Sequence, residues 1–213
     1  MDTRNDLRIR FASAAVAALA WFGVLLQSWL SIRLAQDNGK SAFDGLIALL
    51  GYFTVLTNLF VALVFSQPFV FGGTRFGRWL GSDMLRGCAT AAIAMVGIAY
   101  HVLLRNVWAP EGWQWVADIA LHYATPLAAL GHWLAFPPAR ALALRSALLW
   151  CPYPAAYLLY ALVRGELLGS YPYHFIDVGA LGYPRVLLHS LGLLLGFVLV
   201  GATLVGLARW RRR

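Results

Sequence analysis

The pair Asp118 and His122 has the spacing of an oriented general base. Residues four positions apart lie on the same face of a helix, so the Asp118 carboxylate can accept the imidazole N–H. That hydrogen bond selects one tautomer of the ring and raises its basicity. We therefore expect His122 to take up and return protons while Asp118 holds the ring in place.

Thr54 is the candidate nucleophile, and Asn58 follows it on the same helix face. A threonine hydroxyl is a weak nucleophile until a neighbouring base removes its proton, which is the role that we expect of His122. Asn58, His101 or a backbone amide could stabilise the oxyanion that forms. A structural alternative stays open, because threonine in an apolar helix often donates to the carbonyl four residues earlier.

The elements that carry these residues are predicted to be membrane helices. The 213 residues are 61% hydrophobic and 12% charged, whereas soluble domains average about 45–50% and 25%. Six apolar runs approach the ~20 residues that cross a ~30 Å hydrocarbon core. They are residues 11–32, 43–66, 87–104, 115–136, 141–163 and 183–210. The sequence therefore predicts one all-α domain, residues 1–213, with six transmembrane helices.

The distribution of positive charge predicts how these helices are oriented. Of the 17 Lys and Arg residues, 12 lie in the N-terminal tail, in the segments 67–86 and 137–145, and in the C-terminal tail counted from Arg209. The positive-inside rule then places both termini in the cytoplasm. The net charge of +8 follows from this topology, and we expect membrane lipids as partners and no nucleic acid.

Four of the predicted helices carry polar side chains at similar depth. At a rise of about 1.5 Å per residue, Thr54, His101, His122 and His189 lie roughly 5 to 13 Å below the outer surface. Small residues share the helix faces of His101 and His189, as they do in closely packed membrane helices. We therefore expect these side chains to point into one pocket in the outer half of the membrane.

Short motifs in the second and fourth runs and in the segment before the sixth run resemble the androgen-induced FAR-17a/AIG-like membrane proteins. The motifs are Tyr52-Phe53-Thr54, His122 with Pro126, and Tyr171-Pro172-Tyr173 with Asp177. This family includes the androgen-dependent tissue-factor-pathway-inhibitor regulator and six-span bacterial relatives. Its animal members are intramembrane hydrolases that cleave esters between fatty acids and hydroxy fatty acids with a threonine and a histidine.

The resemblance implies Thr54 as nucleophile and His122 as base, with Tyr171 and Asp177 as pocket residues. It also implies a multi-pass protein of the bacterial inner membrane. With the residues above, it predicts a lipid-ester hydrolase that needs no cofactor and takes its substrate sideways from the membrane.

Two other classes remain open at this point. Pairs of bundle histidines could ligate haem in an electron carrier. Alternatively, His101, His122, His189 and Asp118 could hold zinc in a metallohydrolase or a metal carrier. A transporter is disfavoured, because the sequence contains no obvious broken helices or internal repeat.

A tag fused after Arg213 tests the predicted orientation. We expect the tag to be inaccessible in intact cells and accessible once the membrane is permeabilised, because the basic termini stay on the cytoplasmic side. A tag inserted at residues 105–114 is the control and should behave in the opposite way. A C-terminal tag that is accessible only from outside intact cells would contradict the orientation and the depths derived from it.

Overall fold

Helices account for most of residues 3–211, which are the residues that the computed structural model describes. The α-helices are α1 Thr3–Asp37, α2 Ala42–Leu50, α3 Phe53–Val70, α4 Arg75–Leu80, α5 Asp83–Ala99, α6 Gly112–Ile119, α7 Thr125–Ala135, α8 Ser146–Leu149, α9 Pro152–Leu168, α10 Val178–Leu181 and α11 Tyr183–Trp210. Two π-helical turns, Tyr100–Leu104 and Ala120–Ala124, follow α5 and α6, and a 3₁₀ turn covers His174–Ile176. The described residues contain no strand, so the all-α prediction is confirmed. Arg212 and Arg213 of the basic tail lie outside the described residues.

Within residues 3–211, five helical segments are long and apolar enough to cross a membrane. They are Arg4–Asp37, Phe53–Val70, Asp83–Leu104, Ser146–Leu168 and Tyr183–Trp210, and each overlaps one predicted run. The fourth run, residues 115–136, is helical almost throughout but is divided into α6, a π-helical turn and α7. The fold is thus compatible with a multi-pass membrane protein.

The second predicted run is broken where the sequence indicated a continuous helix. The α2 helix ends before Gly51, and Tyr52 takes an extended conformation at the N-cap of α3. Gly51 leaves room for the guanidinium of Arg164, whose Cζ would lie 2.9 Å from a Cβ at that position. The break makes Thr54 the second residue of α3, so its side chain lies at a helix start and not in a helix interior.

The core forms where α5 contacts α3, α7 and α11 through small residues. Ala89, Ala91, Ala92 and Ile93 of α5 are fully buried. In the half of the bundle near the termini, Trp133 of α7 is also fully buried, and its indole N–H donates to the carbonyl oxygen of Leu204 at 3.0 Å. These contacts hold the helices that carry the candidate residues in a fixed arrangement.

Gly87 of α5 tests this packing. A Cβ at Gly87 would collide with the Trp150 ring and approach the Trp133 ring to 3.1 Å. We expect Gly87→Ala to lower the free energy of unfolding by about 1–3 kcal/mol through overpacking. Gly131→Ala is the matched control, because a Cβ there meets nothing within 4 Å, and better helix propensity should leave stability unchanged or higher by up to ~1 kcal/mol. Equal thermal unfolding of the two variants in detergent would contradict the packing.

Candidate active site

A cavity of about 250 Å³ lies between α3, the end of α5, α9, α11 and the turn His174–Ile176. Apolar side chains form nearly all of its wall. Five hydroxyl-bearing residues line it, and they are Thr54, Tyr100, Tyr157, Tyr173 and Ser190. The cavity therefore suits an apolar ligand, with Thr54 as the aliphatic hydroxyl that sequence analysis had singled out.

Thr54 is held at the cavity wall by its place at the start of α3. It is 8% exposed. The carbonyl four residues earlier, that of Leu50, lies beyond the helix break and accepts the hydroxyl of Tyr160 at 3.2 Å. Because α2 does not continue into α3, the usual back-bonding geometry of a helical threonine is lost at Thr54.

His122 and Asp118 are in contact, as their spacing predicts. Nδ1 of His122 lies 3.1 Å from Oδ1 of Asp118 and 3.1 Å from the Asp118 carbonyl oxygen. The Asp118 residue is 4% exposed. With Nδ1 facing these two oxygens, Nε2 is the ring nitrogen left for proton exchange.

Tyr100 is a site residue that sequence analysis missed. Its hydroxyl donates to Oδ2 of Asp118 at 2.7 Å, and its ring stacks on the His122 ring with centroids 3.9 Å apart. Tyr100 also lines the cavity, so it connects the cavity wall to His122. The sequence contained a signal for Tyr100. A buried carboxylate needs a hydrogen-bond donor, and Tyr100 is a donor in the third run, next to His101.

The two π-helical turns bring these residues together. Tyr100 and Tyr123, one from each turn, meet edge to face with centroids 5.6 Å apart. Nδ1 of His101 lies 3.2 Å from the Tyr123 hydroxyl. Single π-helical turns inside α-helices are frequent at functional sites, because the wider turn redirects side chains. Here they turn Tyr100 inward against Asp118 and His122.

Asn58 joins α3 to the helix that carries His122. It is fully buried, and its Nδ2 donates to the carbonyl oxygens of Thr54 at 2.9 Å and of Leu121 at 3.2 Å. Both N–H groups of the amide are thus engaged with the backbone. Asn58 holds the Thr54 segment beside His122, and its amide is not free to bind the oxyanion for which sequence analysis considered it.

The prediction that His101 and His189 point into the bundle is wrong, since both are exposed. At His101 the π-helical turn departs from regular α-helical spacing, and Tyr100 takes the inward position; Nε2 of His101 faces Arg105 at 2.8 Å. Nδ1 of His189 lies 3.0 Å from the Phe175 carbonyl oxygen. The glycine face of His189 packs only at its far end: a Cβ at Gly192 would meet nothing within 4 Å, whereas a Cβ at Gly196 would lie 3.3 Å from Cε of Met95.

These positions weaken the haem and zinc hypotheses. His101 and His189 do not join His122 in a common pocket, and residues 3–211 contain no group of three His, Cys, Asp or Glu side chains that could hold a metal ion. A haem ligated by two of these histidines would need both imidazoles to face the same interior space.

Tyr171 and Asp177 lie outside the cavity lining. The Tyr171 hydroxyl donates to Oε1 of Glu166 at 3.0 Å, and the Tyr183 hydroxyl donates to the same oxygen at 2.9 Å. Burial and the Glu166 hydrogen bond raise the pKa of Tyr171 to about 12. Asp177 accepts the backbone N–H of Ala180 at 3.1 Å and caps α10. Both residues shape the outer connection, and Tyr173 is the member of this segment that reaches the cavity.

Comparison with known proteins gives no match: no protein-family model, no curated protein and no solved structure is similar to the chain. The resemblance to the FAR-17a/AIG-like family therefore rests on its short motifs and stays a hypothesis. The residues whose geometry bears on function are Thr54, Tyr100, Asp118 and His122.

Tyr100→Phe tests the hydrogen bond to Asp118. The variant keeps the ring on His122 but leaves one oxygen of a buried carboxylate without its donor, so we expect the free energy of unfolding to fall by about 1–3 kcal/mol. Tyr123→Phe is the matched control from the neighbouring π-helical turn. The Tyr123 hydroxyl bonds the exposed His101, so Tyr123→Phe should lower the free energy of unfolding by less than Tyr100→Phe. Equal losses in thermal unfolding for the two variants would contradict the assignment.

Proposed function

We propose that this protein is an intramembrane hydrolase of lipid esters that uses Thr54 as nucleophile and His122, oriented by Asp118, as general base. The observation that carries the proposal is the place of Thr54 in the wall of an apolar cavity. Tyr100 lines the same cavity and contacts both Asp118 and His122. The cavity wall that holds the nucleophile therefore includes a residue in direct contact with the base, although His122 itself is not part of the lining.

Six transmembrane helices and cytoplasmic termini are part of this proposal. In addition to the five apolar helices, the chain is helical from Gly112 to Ala135, which at about 1.5 Å per residue is long enough to cross the membrane. The cavity is bounded by the starts of α3 and α11, the end of α5 and the first half of α9. With the termini in the cytoplasm, the starts of α3 and α11 and the end of α5 lie in the outer half of the membrane. The membrane that the resemblance implies is the bacterial inner membrane.

The proposed reaction has two steps with one proton carrier. The Thr54 Oγ attacks the ester carbonyl carbon, its proton passes to Nε2 of His122, and the carbonyl π pair moves to oxygen. When that oxyanion collapses, the C–O bond to the alcohol breaks and the leaving alkoxide takes the proton from His122. Water then attacks the acyl-Thr54 ester with the same transfers, which releases the fatty acid and restores the Thr54 hydroxyl.

The cavity favours an acyl chain as the occupant. Its wall is built from side chains such as Met95, Leu158, Leu191, Leu194 and Phe197. When the substrate enters from water, burying its alkyl chain in the cavity contributes a favourable free energy of about 25 cal/mol per Å² of apolar surface removed from water. An ester group placed beside Thr54 would leave the chain among these residues.

Replacement of Thr54 tests the proposal. We expect Thr54→Ala to lower esterase turnover by about 10³-fold or more, because the acyl acceptor is lost. Thr54→Ser keeps the hydroxyl and should retain part of the rate. A fluorophosphonate probe should label Thr54 in the native protein and leave the Ala variant unlabelled.

Thr57→Ala is the control from the same helix. Its hydroxyl bonds Tyr153 at 3.1 Å and lies outside the cavity lining, so the variant should keep esterase activity even if it unfolds at lower temperature. Equal residual activity in the Ala and Ser variants of Thr54 would show that its hydroxyl is structural.

A further inference from the structure

We propose that Tyr173 is a catalytic residue whose phenol O–H donates a hydrogen bond to the ester oxygen as that oxygen becomes negative. The inference rests on the proposed hydrolase function and adds the group that would stabilise the oxyanion. Such donors lower the barrier most when they are already in place before the charge forms.

Three of the five hydroxyl groups at the cavity are committed to other acceptors. The Tyr100 hydroxyl donates to Asp118 at 2.7 Å. The Tyr157 hydroxyl donates to the Gly51 carbonyl oxygen at 2.9 Å, and the Ser190 hydroxyl donates to the Val186 carbonyl oxygen at 2.8 Å. The hydroxyl groups of Thr54 and Tyr173 remain, and Tyr173 reaches Thr54 through the Thr54 backbone N–H, which donates to the phenol oxygen.

The position of Tyr173 relative to Thr54 fits this role. The Thr54 backbone N–H donates to the Tyr173 phenol oxygen at 3.3 Å, and the phenol also contacts the Thr54 side chain. When the Thr54 Oγ bonds to the carbonyl carbon, the oxyanion lies only two bonds away from that Oγ. A donor that touches Thr54 is therefore within reach of the oxyanion without a change of fold.

The ring of Tyr173 is fixed in this position. It stacks on Phe175 with centroids 5.1 Å apart and planes 7° apart, and Tyr52 meets it edge to face at 5.7 Å. The segment is anchored by Ile176, which is 2% exposed and packs with Ala161 and Val186. The two ring contacts and the buried Ile176 together keep the phenol oxygen at one place in the cavity wall.

The local electrostatics keep Tyr173 in its donor form. Burial raises the pKa of the Tyr173 phenol, so it keeps its proton at neutral pH. Its oxygen accepts an N–H at the start of α3, where the helix dipole is positive. A hydroxyl that accepts a hydrogen bond becomes a better donor through its own proton.

Tyr173→Phe tests the proposal, with Tyr171→Phe as the matched control. We expect Tyr173→Phe to lower kcat for a p-nitrophenyl ester of a medium-chain fatty acid by about 10²–10³-fold, the usual loss for one oxyanion donor. KM should change little, because the ring and its packing remain. Tyr171→Phe should keep the native kcat, since its hydroxyl bonds Glu166 outside the cavity.

A second variant separates the donor role from a purely structural one. Fluorotyrosine at position 173 keeps the shape of the ring but has a more acidic phenol. Activity should then be lost at lower pH than in the native protein as the phenol loses its proton. A pH profile identical to the native one would overturn the donor role, whatever the stability of Tyr173→Phe.

The outcomes distinguish this inference from the function on which it rests. Loss of activity in Thr54→Ala with native kcat in Tyr173→Phe would overturn the role of Tyr173 and leave the hydrolase intact. Native activity in Thr54→Ala would overturn the hydrolase itself. Loss of kcat in Tyr173→Phe and Thr54→Ala, with native kcat in Tyr171→Phe, is the result that we expect.

Discussion

The break between α2 and α3 depends on hydrogen bonds donated by α9. A helix that stops inside an apolar helix bundle leaves carbonyl oxygens without partners, and each unpaired oxygen costs several kcal/mol away from water. Here the donors come from three residues spaced along α9. The Tyr157 hydroxyl reaches the Gly51 oxygen at 2.9 Å, the Tyr160 hydroxyl reaches the Leu50 oxygen at 3.2 Å, and an Arg164 guanidinium nitrogen reaches the Ile47 oxygen at 3.2 Å. The break also shapes the cavity wall. Because α3 begins there, the backbone N–H of Thr54 has no partner within the helix and donates to the Tyr173 hydroxyl.

A second constraint acts on Asp118, whose buried carboxylate needs a hydrogen-bond donor. The Tyr100 hydroxyl donates to Oδ2 at 2.7 Å. Nδ1 of His122 lies 3.1 Å from Oδ1 but is hydrogen-bonded to the Asp118 carbonyl oxygen, so Oδ1 has the imidazole as a close neighbour and no hydrogen bond of its own. Tyr100 and His122 come from the two π-helical turns. The departure from regular α-helix is therefore what brings both side chains to Asp118. Removing either partner would leave a buried charge with too few donors, which the low dielectric of the bundle penalises.

Sequence patterns predicted the features that depend on length and regular spacing. Hydropathy and run length located the five apolar helices, and the four-residue spacing predicted the contact between Asp118 and His122. The same reasoning failed where the backbone leaves the α-helix. Regular α-helical spacing predicted that His101 faces the interior of the bundle. In the structure a π-helical turn begins at Tyr100, and Tyr100 takes the interior position. The break at Gly51 and Tyr52 was also missed, because the groups that satisfy it lie more than 100 positions further along the chain. Tyr173 was quoted only as part of a motif, since nothing local shows which tyrosine of a connection enters a cavity.

The separation of Thr54 from His122 has an energetic consequence for the proposed reaction. Thr54 lies in the apolar wall, whereas His122 lies behind Tyr100 and next to Asp118. Transfer of the Thr54 proton creates an imidazolium and an oxyanion, two charges that an apolar cavity alone would strongly disfavour. The Asp118 carboxylate faces the imidazolium and the positive start of α3 faces the oxyanion, so each new charge forms beside an existing opposite one. Charge separation in the apolar cavity therefore requires both the helix break and the buried carboxylate, and loss of either one should stop the proposed reaction even if the cavity itself remained.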